Sequence, residues 1–63
     1  MNTLHICKAE QLEVGDTLIL NGHRWQVIQI EEERIGKELR LRDTMGAGRT
    51  RFVLPDEIVT IEL

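Results

Sequence analysis

A chain of 63 residues and 7.3 kDa is expected to form a single domain, 1–63, and at that size it buries only about 60% of the surface its unfolded form exposes. One cysteine excludes an internal disulfide, and the aliphatic residues are too interspersed with charge to supply the roughly 18 to 20 apolar positions of a membrane span. The net charge of −3 speaks against a dedicated nucleic-acid binder, which carries a basic surplus.

The charge is unevenly spread. Between Arg34 and Arg51, six basic residues face only Glu38 and Asp43, a surplus of four, while the rest of the chain carries minus seven. This pattern suits one basic face on an acidic body. The opening MNTLHICKAEQL has neither a basic leader nor a long apolar run, so a cytoplasmic location is the expectation.

In chain order, TLHIC alternates Leu4 and Ile6 against His5 and Cys7, as a short strand would, and KAEQL can supply one helical turn. Gly15-Asp16 turns the chain into the apolar run Thr17 to Leu20. Asn21-Gly22 between two apolar runs predicts a type I′ hairpin. The next strand, His23 to about Glu33, places Trp25 and Val27 on one face but Ile28 and Ile30 on the other, which predicts a bulge near Val27-Ile28.

RIGK makes a turn, after which Leu39 and Leu41 point inward and Arg40 and Arg42 outward. DTMGAG is a loop, followed by a strand whose Thr50, Phe52 and Leu54 alternate with Arg49, Arg51 and Val53. Pro55 ends that strand because it lacks a ladder donor, and Val59, Ile61 and Leu63 make the last one. Five or six short strands predict an all-β, small antiparallel barrel. Its expected core is Leu12, Val14, Leu18, Leu20, Trp25, Val27, Ile30, Leu39, Leu41, Phe52, Leu54, Val59 and Ile61, with Trp25 and Phe52 dominating the volume.

The order L-x-V-G-D-T-L-I-L-N-G-H-R-W-Q-V-I-Q-I-E, a basic hairpin, and then R-T-R-F-V-L-P-D-E-I-V resembles the SH3-like small barrels, especially the KOW-like N-terminal domain of elongation factor P. The resemblance covers about Leu12 to Leu63 and implies a non-enzymatic barrel that binds RNA, DNA or protein. In that family a lysine at the tip of a long glycine-rich hairpin is modified. Lys37 stands near that place, but in a shorter loop without the following glycines, so a solvated turn lysine is the expectation. V-G-D and V-I-x-I also resemble the start of Hint self-splicing domains, whose first-residue nucleophile and later Thr/His pair have no counterpart here.

The candidate binding residues are Arg34, Lys37, Arg40, Arg42, Arg49 and Arg51. If Glu33 pairs with Glu38, then Glu31 lies opposite Arg40 and Gln29 opposite Arg42. With Leu39 opposite Phe52, Arg40 stands beside Arg51 and Arg42 beside Arg49, so that four arginines share one face. Glu31 and Asp43 neutralise that face in the plainest account. In the functional one it takes phosphate or carboxylate through the arginine fork. Exposed aromatics for base stacking are not expected, since Trp25 and Phe52 are assigned to the core.

Three functions follow: a non-enzymatic binding module, with a protein partner favoured and nucleic acid second; a phage- or plasmid-type accessory or inhibitory protein acting by protein–protein contact; and a metal- or thiol-dependent protein using Cys7 with His5 or His23. The last needs three or four converging ligands, or a base and oxyanion donors, and the spacing offers neither, so no enzyme, metal or cofactor is expected.

Overall fold

The computed structural model describes residues 3–63, and its architecture is all-β. Strands β1 (Leu4–Lys8), β2 (Thr17–Leu20), β3 (His23–Glu32), β4 (Lys37–Arg42), β5 (Gly48–Val53) and β6 (Ile58–Glu62) are joined by tight turns, with one 3₁₀ turn at Ala9–Gln11. All pairings are antiparallel, in one sheet of order β1-β6-β2-β3-β4-β5. No helix among the described residues is long and apolar enough to cross a membrane.

The turns follow from their residues. Asn21 (φ 51°) and Gly22 (φ 79°) both take positive angles, as the β2–β3 hairpin requires. Gly15, at φ 102°, lets the Asp16 N–H reach the Glu13 carbonyl, and the Asp16 Oδ2 accepts from the Glu13 N–H at 2.8 Å. In the β4–β5 loop the Asp43 Oδ1 accepts the N–H groups of Met45 and Ala47. β5 ends at Val53, one residue before the expected end at Leu54, and Pro55 lies in the turn that follows, closed by the Glu57 N–H on the Leu54 carbonyl.

The predicted bulge is present: the β3–β4 register shifts between Val27 and Gln29. Val27 is tied on its other side to β2's approach, since its carbonyl accepts from Gly15 and its N–H donates to Asp16. The chain therefore bends at a point held from both neighbours. Further curling is evident from the 3₁₀ turn, which leaves β1 at one edge yet meets elements of the other. Ala9 donates to Glu57, Glu10 donates to Pro55, and the Lys37 Nζ of β4 donates to the Glu10 carbonyl at 3.0 Å. Among the described residues no ladder joins β1 to β5, so both remain edge strands.

The enclosed core is Ala9, Leu12, Leu18, Val27, Leu39, Leu41, Val53, Val59 and Ile61, with Leu20, Trp25 and Ile30 packed partly against it. Three predicted members lie outside: Val14 is 61% exposed, Phe52 51% and Leu54 44%. The cause for the last two is register. Leu39 lies opposite Arg51 rather than Phe52, and Leu41 opposite Arg49, so β5 turns Val53 inward and Phe52 outward. The core is consequently aliphatic, and Ala9, on the 3₁₀ turn, is fully buried within it.

Candidate functional site

Residues opposite one another across a ladder share a face. The outer rows of the β3–β4–β5 meander are therefore Gln26–Arg42–Gly48, Gln29–Arg40–Thr50 and Glu31–Glu38–Phe52. The inner rows are Val27–Leu41–Arg49, Ile30–Leu39–Arg51 and Glu32–Lys37–Val53. The expected four-arginine face is thereby divided. Arg40 and Arg42 project outward, and Arg49 and Arg51 lie on the inner face at the open edge of the sheet. The β3–β4 register slips by two residues, and by three beyond the bulge, so that Gln29, not Glu31, faces Arg40, and Gln26, not Gln29, faces Arg42; the β4–β5 register slips by one, and it is this odd slip that divides the arginines.

Each cation has a distinct setting. Arg40 and Arg42 are exposed and take no part in the ion pairs formed among the described residues, which are Arg24–Glu62 (2.8 Å), Lys37–Glu32 (3.6 Å) and Arg51–Glu57 (3.2 Å). Glu31 stands opposite Glu38 instead, and Asp43 turns one oxygen to its own loop; neither forms an ion pair with these arginines. Arg34 is exposed on the β3–β4 turn. Lys37 is not the solvated turn lysine of the sequence reading: its side chain is only 16% exposed and straps β4 to the Glu10 carbonyl.

On the inner face the Arg49 guanidinium stacks over the Trp25 ring, 5.8 Å from its centroid. Arg51 reaches Glu57 through one terminal nitrogen, and its buried Nε has no hydrogen-bond partner. These contacts explain how arginines occupy inward positions that a pattern of apolar residues would claim. Near the edge their charged heads turn to an aromatic face and a turn carboxylate.

Between the β2–β3 turn and the β4–β5 loop lies an open cleft of about 460 Å³, bounded by His23, Arg24 and Trp25 on one side and Asp43, Thr44 and Met45 on the other. It was not legible in the sequence, because loops distant in the chain form it. Half-buried Trp25 borders this cleft and Phe52 is half exposed on the outer face, so aromatic surface is available after all.

The alternative set does not assemble. Cys7 lies opposite Val59, and extending the β2–β6 ladder by one residue puts Leu20 on the other side of Val59, with His23 opposite Leu20. Cys7 and His23 thus stand three strand spacings apart along the sheet, roughly 14 Å. Among the described residues no group of three or more His, Cys, Asp or Glu side chains could hold a metal ion. In comparisons with known proteins, the chain matches no protein-family model and no curated protein.

Proposed function

We propose that the protein is a non-enzymatic binding module of the SH3-like small-barrel kind, engaging an acidic protein surface through the outer face of its β4–β5 hairpin. The observation that carries this reading is the pair Arg40 and Arg42, two residues apart on one strand, exposed and in no ion pair among the described residues. Two unneutralised guanidiniums on a rigid strand suit bidentate capture of carboxylates. Gln26, Gln29 and Thr50 beside them add neutral hydrogen-bonding groups, and Phe52 adds an apolar contact on the same face. A protein partner is favoured over nucleic acid because the charge of the remaining chain repels a long polyanion that extends beyond the patch. The single cysteine is in keeping with a cytoplasmic setting.

The test is affinity capture with the wild type and with the Arg40→Gln/Arg42→Gln variant, with nuclease present, alongside titration of random-sequence DNA and RNA at low and physiological salt. Capture that survives nuclease and is lost in a variant of unchanged urea unfolding supports the reading. Binding to random DNA or RNA that falls steeply with salt overturns the choice of a protein partner. A second reading, an accessory protein that occupies a partner's surface, is supported by Leu4, Ile6 and Ile58, which are exposed on the outer side of β1 and β6.

A further inference from the structure

Of the two edge strands, β5 carries a charge pattern that specifies what can pair with it. Among the described residues its one ladder is with β4, and no backbone hydrogen bond reaches its other side from Gly48 to Val53, where no proline interrupts the strand. On its inner side stand Arg49 and Arg51. On its outer side stand Thr50 and Phe52, the phenyl ring half exposed. A strand added to this edge would set its alternate residues against two guanidiniums on one face and against a hydroxyl and an aromatic ring on the other.

Both guanidiniums have donors to spare. Among the described residues Arg49 rests on Trp25 and forms no ion pair, and Arg51 makes a single 3.2 Å contact with Glu57 while its buried Nε lacks an acceptor. We propose that β5 is a docking edge for an extended acidic segment of a partner protein, added as a seventh antiparallel or parallel strand, with acidic residues at alternate positions and apolar or small residues between them. Main-chain hydrogen bonds to β5 supply affinity, and Arg49 and Arg51 select the sequence by pairing with the carboxylates.

A second copy of this chain is a poor occupant of the same edge. Antiparallel self-pairing that keeps the two faces and joins more than three residues sets Arg49 against Arg51, or Arg51 against itself, and like charges directly opposed are destabilising. The inference rests on the reading of the protein as a binding module for acidic partners and adds a second contact, at the strand edge beside the Arg40 and Arg42 face, with the conformation the partner takes there.

The probe is a capped peptide Thr-Glu-Val-Glu-Val-Thr, compared with Thr-Val-Glu-Glu-Val-Thr, which has the same composition and charge but broken alternation. The measurements are amide chemical shifts and amide hydrogen exchange of the whole protein, with fluorescence of its one tryptophan. The expected result is shifts and slowed exchange along Gly48–Val53, altered Trp25 emission as Arg49 moves, and roughly tenfold weaker binding for the broken peptide and for Arg49→Gln. Equal binding of the two peptides overturns the proposal, as does the absence of shifts at millimolar peptide. Shifts confined to the Arg40 and Arg42 face overturn it while leaving the binding-module reading intact. An oligonucleotide of equal charge that protects the same β5 amides overturns the choice of a peptide.

Discussion

At Gly36 the β3–β4 turn passes so close to the end of β5 that an added Cβ would meet the Val53 carbonyl oxygen and, at 2.8 Å, the Phe52 ring. Gly22 presents the opposite case: its φ of 79° is unfavourable for other residues, but no heavy atom lies within 4 Å of where its Cβ would be. The two glycines are needed for different reasons, and a pair of substitutions separates them. Gly22→Ala is expected to cost about 1 to 2 kcal/mol of left-handed strain, most of it recovered in Gly22→Asn, because asparagine tolerates that region. Gly36→Ala is expected to cost about 1 to 3 kcal/mol through crowding against backbone, and Gly36→Asn to be worse. Urea unfolding of the four variants checks both statements. A Gly36→Ala protein as stable as the wild type would mean that the turn does not press on β5.

The strand elements divide into those announced by short-range chemistry and the one set by tertiary context. Asn21-Gly22, Gly15-Asp16, Pro55 and the doubled apolar phase of β3 each carry a local backbone reason, and the structure has the hairpin, the turns and the bulge at those places. β5 does not. In R-T-R-F-V-L the alternation assigns Phe52 and Leu54 inward, yet the observed phase buries Val53 and seats Arg49 on Trp25 and Arg51 on Glu57. Because strand periodicity is two, this one-residue slip moved two of the four candidate arginines to the other face. A partner 24 positions away, Trp25 for Arg49, leaves no trace in a local pattern. Truncations resolve the phase directly. Val53→Ala should cost about 2 kcal/mol, from lost burial plus a small cavity. Phe52→Ala should cost about 1 kcal/mol or less, since half the ring is already in water. The reverse order in urea unfolding would show that β5 packs in the phase its hydrophobic pattern suggests.

At the scale of the whole molecule, the sheet order β1-β6-β2-β3-β4-β5 follows the chain except for β6, which returns to lie between the two earliest strands. Register pairs such as Leu4 with Glu62 and Thr17 with Glu62 join residues that are nearly a full chain length, or most of one, apart. Closing loops of that length before any contact rewards it is what slows the folding of β proteins. The fold also offers the means to test this. Thr3 and Leu63 exchange backbone hydrogen bonds, at 3.4 and 2.8 Å, so a short Gly/Ser linker can join Leu63 to Thr3 without distortion. Opening the chain between Pro55 and Asp56, both exposed, separates β5 from β6, two strands that do not pair with each other. The permuted order β6-β1-β2-β3-β4-β5 turns the β1–β6 pairing into a hairpin and brings β2 within about twenty residues of β6, while every other pairing stays local. Refolding should accelerate by roughly tenfold or more, a modest part of the range over which topology spreads folding rates. Equilibrium stability should fall somewhat, because the cut removes the Glu57–Leu54 turn bond and loosens the anchors that Pro55 and Glu57 give the 3₁₀ turn. Stopped-flow fluorescence of Trp25 measures both arms of the chevron. An unchanged refolding rate would mean that β6 docks only after the rate-limiting barrier, leaving the β2–β3–β4–β5 meander to form the transition state alone.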